Sequence, residues 1–596
     1  MNAPLKTDAL PQWNLADLYS GRDDPKIETD IARAKAANDA LAALEGRFLA
    51  SRANARVLGE LLVNGIGLYE QATNGLYAVG AYAGLAASTA RDDPAWAKFE
   101  ADLRATSSQI AAESLFFTLE LNQLDDNEIE AAFRAHPSAA RWRPWIRRVR
   151  LSRPHELTPD LERMLIDRGP AVANWSRLSD ETLATLTAKV GRDTLTLSET
   201  LNRLSDPDAA RRKQAAQGLT KALAARAPTL ALCLNTLAFE KQVEDRWRKY
   251  PDPAASRHIA NEVHADAVAA LEAAVVESYE PVAHRYYRLK AKVMGRPYLD
   301  QWDRNAPLDT AQPRTYSWDQ AKTMVLESFA GLAPKFADTA QTFFTHPWID
   351  ARPRAGKQSG AYSHSVTSEH HPFVFLNYMG ERRDVLTLAH ELGHAVHQTL
   401  CSPLGTLLAD TPLTLAETAS IFGEGLVFER LLANASKAER KGLLAGKIED
   451  GINTVVRQIA FHRFETRFHA ARLVGEVSAE EIGSIWLEAM GESLGPAIKL
   501  NAGYEHYWAY VSHFVHAPFY VYAYAFGDLL VRGLMEKRRE DPAAFAPLYE
   551  DLLAAGGTRT YVEALAPFGL NPREKAFWAA GMKQLQRLVD EFEALV

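Results

Sequence analysis

The feature that most limits the possible folds is the helical spacing of apolar residues along most of the chain. Within residues 209–241 the apolar positions recur every three or four residues and mark one broad stripe: Ala215, Leu219, Leu223, Leu230, Leu234 and Leu237. Residues at this spacing share one face of a helix, so the stripe predicts two core-facing helices separated near Pro228. The chain has 596 residues, of which 47% are hydrophobic, enough for several packing units or one large helical body. We expect a mainly α-helical fold.

One short segment favours a strand instead. The run from Phe373 to Tyr378 is rich in strand-forming residues and follows a loop-like stretch, 346–361, that contains two prolines and two glycines. Helical spacing resumes at 385–400. The run predicts a small β element beside that helix, either as an edge strand that pairs with an extended peptide or as an ordinary buried strand.

Charge and cysteine content exclude several classes of function. The net charge is −8, and there is no basic excess that would bind nucleic acid. Two cysteines, Cys233 and Cys401, exclude a disulfide framework and favour a reducing compartment. The N-terminus does not read as a secretory signal, and no run approaches the roughly 20 apolar residues that cross a bilayer. We expect a soluble, cytoplasmic protein without nucleic-acid or membrane partners, and the oligomeric state stays open.

The clearest chemical signal is His390-Glu391-Leu392-Gly393-His394, an H-E-x-x-H motif in an apolar helical segment. Residues i and i+4 lie one above the other on a helix, so both imidazoles can reach one metal ion. Glu391 lies next to the first ligand and can act on a water molecule instead of binding the metal. The alternative is a chance motif on a partly exposed helix. The apolar flanks imply burial, however, and buried imidazoles and carboxylates without partners are costly.

A zinc hydrolase site also needs a third protein ligand and one open position. The metzincin extension would require a glycine at 397 and a histidine at 400, but the chain has His397 and Leu400 there. Glu417, which lies 23 residues after the second histidine of the motif, is a candidate ligand on a second, antiparallel helix. Alternatively, Glu417 only caps its own helix, in a capping box with Thr414. Glu424, two turns further along, is either a partner of a ligand histidine or a surface charge.

Further motifs occur in order around the two histidines. They are Gly360-Ala361-Tyr362, the run from Pro372 to Tyr378, the run from Asp384 to Leu388 that leads into H-E-x-x-H, the run from Glu417 to Phe422, and the run from His513 to Tyr524. In these motifs the chain resembles the M3 metallopeptidases, and within them the oligoendopeptidase F group. The resemblance is loose over the first 200 residues and close over residues 345–530.

This resemblance implies a fold and an activity. The expected fold is a large multi-helix body that encloses a deep substrate channel. The expected activity is hydrolysis of short unfolded peptides with one zinc ion. We divide the chain into an N-terminal helical domain that is similar to oligoendopeptidase F, residues 1–200, and a zinc metallopeptidase catalytic domain, residues 201–596.

The resemblance also implies roles for individual residues. His390, His394 and Glu417 are the expected metal ligands, and Glu391 is the expected general base. Glu424 is assigned as the partner of a ligand histidine from its position two turns after Glu417, and not from the resemblance. Three residues of the preceding motifs are expected to contact the substrate: Gly360, Phe375 and Asn377.

The segment from His513 to Tyr524 is expected to supply hydrogen-bond donors for the oxyanion of the reaction. If the segment is one helix, His513, His516, Tyr520 and Tyr524 fall near one face, whereas Tyr522 points elsewhere. The alternative is an aromatic helix packed in the core, although each buried phenol or imidazole then needs a partner. We rank His513 and Tyr520 first as catalytic residues, followed by Tyr524 and Tyr522. The motif is more compact than in other M3 branches and contains a proline.

The predicted function is a zinc-dependent endopeptidase that cuts internal bonds of short peptides. Two imidazoles and a carboxylate favour zinc among the divalent metals. One alternative is an exopeptidase on the same zinc core, which would grip a substrate terminus with a fixed charge. The other is a peptide-binding protein without turnover, which is disfavoured because Glu391 is present.

Overall fold

The computed structural model describes residues 9–308 and 314–596. The predicted mainly α-helical class is confirmed. The chain folds into two compact units, and each is built from three separate stretches of sequence. The first unit comprises Met1–Arg153, Pro313–Ala433 and Lys537–Phe568, and the second comprises Pro154–Gln312, Asn434–Glu536 and Gly569–Val596. The deep channel and the division at residue 200 stay predictions.

Helices make up most of both units. The α-helices are α1 Pro25–Ala42, α2 Arg47–Ala50, α3 Ala55–Ser88, α4 Pro94–Gln123, α5 Asp126–Ala135, α6 Arg143–Val149, α7 Pro159–Ala184, α8 Leu197–Arg203, α9 Ala209–Arg248, α10 Ala255–Ala260, α11 Ala265–Glu277, α12 Arg285–Val293, α13 Trp318–Ala330, α14 Pro334–Thr345, α15 Arg382–Cys401, α16 Thr406–Ala409, α17 Leu413–Ala416, α18 Thr418–Ala433, α19 Lys437–Gly451, α20 Arg457–Val474, α21 Ala479–Leu494, α22 His513–His516, α23 Tyr522–Glu540, α24 Pro542–Ala554, α25 Tyr561–Leu565 and α26 Lys575–Glu593. The 3-10 helices are Leu15–Asp17, Pro137–Trp142, Arg150–His155, Gln301–Asp303, Ser402–Leu404, Tyr504–Tyr510, Gly556–Thr558 and Ala566–Phe568. Two π-helical turns, Tyr279–His284 and Ile452–Val456, lie directly before α12 and α20.

The strands are few and short. They are β1 Thr187–Val190, β2 Asp193–Thr196, β3 Leu299–Asp300, β4 Ile349–Asp350, β5 Tyr362–His364, β6 Phe373–Phe375 and β7 Ile498–Lys499. In the second unit β1 and β2 form an antiparallel hairpin, and β3 pairs with β7 in parallel. In the first unit β4, β6 and β5 form a three-stranded sheet in that order.

The sheet of the first unit corrects one prediction. Strand β6 is central, because it pairs in parallel with β4 and antiparallel with β5. All three of its side chains are buried. The edge-strand interpretation of this run is therefore wrong, and the buried-strand alternative is right. Helix α15 packs against β5 and β6, so the predicted small β element beside the H-E-x-x-H helix is confirmed.

A second correction concerns the apolar stripe of the second unit. Helix α9 runs unbroken through Pro228, where we predicted a separation of two helices. Proline removes one backbone hydrogen bond of the ladder, and the buried leucines on either side hold the helix together across this gap. Helix α9 is also long and apolar enough to span a membrane, with 44% of its most apolar window buried inside the protein. The core helix of a soluble protein meets the same criterion.

A buried ion pair stabilises the loop that precedes β5. The Lys357 ammonium lies 2.7 Å from the Asp350 carboxylate, and the two side chains are 0% and 1% exposed. Arg354 also pairs with Asp350, at 2.8 Å, and its side chain is 26% exposed. One carboxylate at the end of β4 thus balances two cations, one of which is fully buried.

We expect Asp350→Asn to destabilise the first unit by about 3 kcal/mol, because it leaves the buried Lys357 charge without its partner. Arg354→Met is the matched control and should cost about 1 kcal/mol or less, since the guanidinium is partly exposed. Urea unfolding followed by tryptophan fluorescence measures both changes. Equal unfolding midpoints for Asp350→Asn and wild type would contradict this account of the loop.

Candidate metal centre and active site

Helix α15 carries the two histidines and the glutamate of the H-E-x-x-H motif. The helix begins after Glu381, whose side chain forms a reciprocal capping box with Asp384. The rings of His390 and His394 are successive on one face, with centroids 5.0 Å apart. Glu391 is buried beside them. The helical spacing thus places both imidazoles and the neighbouring carboxylate in one small region.

Glu417 lies between α17 and α18 with its carboxylate turned towards the two imidazoles. Its Oε2 atom is 3.4 Å from His390 Nε2 and 3.5 Å from His394 Nε2. The Ser420 hydroxyl donates a hydrogen bond of 2.7 Å to the same oxygen. Among the described residues the Thr414 hydroxyl has no hydrogen-bond partner, so the alternative capping box is not formed. The structure brings together the three residues predicted as ligands.

The donor set fits a zinc ion. The ligand atoms of His390, His394 and Glu417 all lie within 4.8 Å of one another. In a tetrahedral site with bonds of about 2.1 Å, neighbouring donors are about 3.4 Å apart. The two nitrogen–oxygen separations of 3.4 and 3.5 Å match this spacing. Two nitrogens and one carboxylate oxygen, with a fourth position left for water or substrate, are the donors of catalytic zinc sites.

The charges of these groups favour a cation between them. Burial raises the pKa of Glu417, but the hydrogen bond and charge of His394 and the charge of His390 outweigh burial and lower this pKa to about 2. Glu424 lies 3.6 Å from His390 Nδ1, on the side of the ring away from Glu417. Burial lowers the pKa of His390, whereas Glu424 and Glu417 raise it more strongly, so the net shift is upward. Glu424 therefore lies where a carboxylate can orient a ligand histidine.

Close packing of α15 against α18 produces this arrangement. A Cβ atom on Gly393 would lie 2.7 Å from the Ser420 Cα and 2.8 Å from the Ala419 carbonyl carbon. Glycine is therefore required between the two histidines for the helix that follows Glu417 to approach so closely. His397, one turn further along α15, is buried and hydrogen-bonds to the backbone of Ala416. It thereby fixes the segment that leads into Glu417.

A strand that the sequence analysis missed lies beside Glu391. The backbone of Ser363, in β5, hydrogen-bonds to the Glu391 carboxylate. The Ser363 hydroxyl donates to Gln398 Oε1 on α15 at 2.8 Å. Burial, offset in part by the two histidines, raises the pKa of Glu391. The Gly360-Ala361-Tyr362 motif marked this place, but a three-residue strand is too short to show alternation.

The three predicted substrate-contacting residues shape the entry to β5. The Asn377 amide donates to the carbonyl oxygens of Gln358 and Gly360, at 2.9 and 3.2 Å. Gly360 has φ of 91°, a conformation that favours glycine. The buried Phe375 ring stacks on Tyr362 with centroids 4.8 Å apart. These contacts hold the chain on either side of β5, and the contact of the three residues with substrate stays a prediction.

The segment from His513 to Tyr524 lies in the second unit and is not one helix, contrary to our expectation. Helix α22 ends at His516 and α23 begins at Tyr522. Between them the backbone of Phe519 is left-handed, with φ of 59°. The turn nevertheless brings His513 and Tyr524 together, with 3.0 Å between His513 Nε2 and the Tyr524 hydroxyl.

The Tyr520 ring lies close to both His513 and Tyr524. The Tyr520 ring lies 5.9 Å from the His513 ring and 5.4 Å from the Tyr524 ring, centroid to centroid. Burial and the charge of His516 lower the pKa of His513. His516 itself points to Asp180, with 2.8 Å between Nε2 and Oδ1. His513, Tyr520 and Tyr524 therefore form one group, which His516 does not join.

Tyr522 occupies a different environment. Its side chain is fully buried in the second unit. Its hydroxyl contacts His258 Nδ1 at 3.0 Å and accepts a hydrogen bond of 2.9 Å from the Asn261 amide. The structure thus encloses this hydroxyl in the interior of its unit, apart from the His513 group, and the catalytic role of Tyr522 stays a prediction.

A buried glutamate holds the turn that carries Tyr520. The Phe519 amide donates a hydrogen bond of 2.8 Å to Glu465 Oε1, and the Glu465 side chain is buried. Burial raises the pKa of Glu465 to about 8. The signal in the sequence is the spacing of His462, Glu465 and His469, which places three titratable groups on one face of α20. The sequence analysis did not single out this carboxylate.

Two protein-family models and several known oligopeptidases are similar to this chain. The model of peptidase family M3 matches residues 203–584, and that of oligopeptidase F matches residues 120–187. The group B oligopeptidase PepB of Streptococcus agalactiae is 24% identical over 98% of this chain and 97% of its own length. The chromosomal oligoendopeptidase F of Lactococcus lactis subsp. cremoris is 28% identical over 54% of this chain, and the alignment spans 53% of the Lactococcus protein.

Solved structures share the fold. A crystal structure from Chlamydophila abortus superposes with a TM-score of 0.86 and 21% identity, covering 100% of both chains. The oligoendopeptidase F of Enterococcus faecium superposes with a TM-score of 0.70 and 19% identity, covering 94% of this chain and 99% of the other. At these identities the likeness concerns the fold alone.

We expect Gly393→Ala to weaken metal binding about tenfold or more, because the added methyl group meets the backbone of α18 and displaces Glu417. Overpacking should also cost about 1–3 kcal/mol of stability. Gly67→Ala in α3 is the matched control, since nothing lies within 4 Å of the added atom. Zinc affinity is measured by competition with a chelator. Unchanged affinity in Gly393→Ala would show that the contact does not position Glu417.

Proposed function

This chain belongs to peptidase family M3, and from that premise we propose that it is a zinc-dependent endopeptidase that cuts internal bonds of short unfolded peptides in the cytoplasm. Members of the family are metallopeptidases. The observation that carries the proposal is the convergence of His390, His394 and Glu417, with donor separations that suit tetrahedral zinc. Glu391, which is not one of the three donors, lies next to them in the position of a base.

Glu391 is the general base and acid of the proposed reaction. When bound, zinc would supply a Lewis acid that polarises the scissile carbonyl group and lowers the pKa of water, so that a base can deprotonate the attacking water. Glu391 takes the proton from the attacking water and returns it to the leaving amine. Burial raises the pKa of this carboxyl, which makes the carboxylate a stronger base. The Ser363 backbone hydrogen bond holds the carboxylate in one orientation.

Strand β5 is the proposed platform for the substrate. Among the described residues it pairs on one side only, with β6, and its residues are half-buried. An extended peptide that adds to the other side gains main-chain hydrogen bonds, which give affinity with little sequence selectivity. Because Ser363 of this strand contacts Glu391, the peptide bond beside Ser363 would lie next to the base. The role first assigned to the Phe373–Asn377 run thus passes to β5.

His513 and Tyr524 are the proposed donors to the oxyanion, with Tyr520 beside them. The His513–Tyr524 contact of 3.0 Å fixes the direction of the phenol hydroxyl. The lowered pKa of His513, caused by burial and by His516, keeps the imidazole neutral near pH 7, so the pair adds no fixed charge. A neutral, oriented donor suits a charge that develops only in the transition state.

We expect Glu391→Gln to retain zinc but to lose hydrolysis of a fluorogenic peptide blocked at both ends by about 10²–10⁴-fold, because no group then moves the proton. Glu369→Gln, which changes an exposed glutamate of the same unit, is the matched control and should keep wild-type activity. The same peptide with free ends separates the alternatives. Cleavage of the free peptide alone would support an exopeptidase. No turnover of either peptide by the zinc-loaded wild type would support a binding protein.

We expect Tyr524→Phe to lower kcat about a hundredfold with little change in KM, because the lost hydroxyl acts on the transition state. Tyr522→Phe is the matched control from the same segment. It should keep kcat, since its buried hydroxyl contacts His258 and Asn261 in the interior of the second unit, and lose about 1 kcal/mol of stability. Steady-state kinetics of both variants measure the difference. Equal kcat values for the two variants would remove Tyr524 from the mechanism.

A further inference from the structure

Two arginines of the second unit are half-buried without an acidic partner. Arg304 directly follows the 3-10 helix Gln301–Asp303, and Arg457 begins α20 directly after the π-helical turn. Among the described residues neither guanidinium forms an ion pair. Arg304 Nη1 and Arg457 Nε are buried atoms that lack a hydrogen-bond partner. Such π-helical insertions occur frequently at functional sites.

The two guanidiniums act on one another and on a shared set of phenols. Burial and the positive charge of Arg304 lower the pKa of Arg457, whereas the neighbouring phenols and Glu449 outweigh burial and raise the pKa of Arg304. Arg457 Nη2 donates a hydrogen bond of 3.3 Å to the Tyr510 hydroxyl, and its guanidinium lies 4.9 Å above the Phe461 ring. Three tyrosines interact with both arginines: Tyr287, Tyr504 and Tyr510. Two fixed cations are thus surrounded by neutral hydroxyl groups.

The neighbouring carboxylates form their ion pairs with cations outside this cluster. Glu449 lies 2.5 Å from the buried Lys290 ammonium and accepts a hydrogen bond of 2.5 Å from the Tyr286 hydroxyl. Asp303 lies 2.6 Å from Arg212 and also pairs with Arg296. Each of these carboxylates already serves a closer cation. The region therefore keeps an excess of positive charge at Arg304 and Arg457.

Such an excess is costly unless an anion balances it. A guanidinium cannot lose its proton in a protein, so it cannot become neutral on burial as a lysine can. Removing a cation from water is costly when no partner is supplied, and a second cation nearby adds repulsion. Guanidinium N–H groups and a phenol hydroxyl are suitable donors for a carboxylate or a halide.

We propose that Arg304, Arg457 and the hydroxyl of Tyr510 form a binding site for a small monovalent anion. The chemistry is shared by two sources, a free inorganic anion such as chloride and the C-terminal carboxylate of a peptide. The site is separate from the proposed reaction, because its residues include neither the metal ligands nor Glu391. Binding can therefore be measured without turnover.

The first experiment measures thermal unfolding of the zinc-loaded protein in increasing sodium chloride or sodium acetate. Wild type should gain about 2–4 °C in Tm along a saturable curve, and Arg457→Met should lose this gain. Arg472→Met is the matched control, since Arg472 stacks on Phe239 outside the cluster and should behave as wild type. Non-specific effects of salt should change the Tm of wild type and of both variants equally.

A second measurement uses wild type alone, in case Arg457→Met does not fold. The protein should broaden the chloride NMR line, and acetate should reverse the broadening by competition. Tyr510→Phe is a milder variant that removes one donor and should weaken the competition. No saturable Tm gain together with no reversible broadening would overturn the anion site.

Peptide hydrolysis then identifies the source of the anion. Matched peptides with a blocked N-terminus carry either a free C-terminal carboxylate or an amide. If the site binds the substrate terminus, wild type should show a KM about tenfold lower for the acid than for the amide, and Arg457→Met should lose this preference. Anion-dependent Tm with equal KM values supports the inorganic source. A failure of all hydrolysis would refute the proposed function but would leave the Tm and NMR results to decide the anion site.

Discussion

The contact between α15 and α18 at Gly393 is the constraint on which the candidate metal centre depends. The backbone of Ala419 and Ser420 lies against α15 between the two histidines, where any side chain would overlap it. A second glycine, Gly423, faces the Ala389 carbonyl oxygen across the same contact. Because Glu417 directly precedes α18, this approach sets the distance between its carboxylate and the imidazoles. The donor geometry is therefore a property of helix packing as well as of residue type.

The parts of this site that the sequence predicted are the parts set by local geometry. The i and i+4 spacing of His390 and His394 fixes their shared face wherever α15 lies in the fold. Periodicity likewise predicted the helical class. The role of Glu417 was harder to predict from the sequence, because it depends on where a second helix lies relative to α15. Only the resemblance favoured metal binding over helix capping. The structure shows its carboxylate turned towards both imidazoles.

The errors arose where structure depends on distant partners. The central position of β6 follows from its pairing with β4, which lies in a stretch that reads as a loop. Three-residue strands carry no usable alternation, so β5 gave no signal of its own. The single helix expected from His513 to Tyr524 fails at a proline that the sequence displays, followed by left-handed Phe519. Buried Glu465 bonds the Phe519 amide and so stabilises a conformation that phenylalanine disfavours.

Each unit contains a group of like charges, which are carboxylates in the first unit and guanidiniums in the second. In the first unit, Glu417 and Glu424 flank His390 with two carboxylates, and Glu391 adds a third beside them, so the imidazoles lie in a field that favours a cation. In the second unit, Arg304 and Arg457 face phenols, and the nearest carboxylates pair with other cations. Burial makes either imbalance more costly than it would be in water. A group of charges that its own chain does not balance therefore indicates the sign of the partner it accepts, which is a cation for the first cluster and an anion for the second.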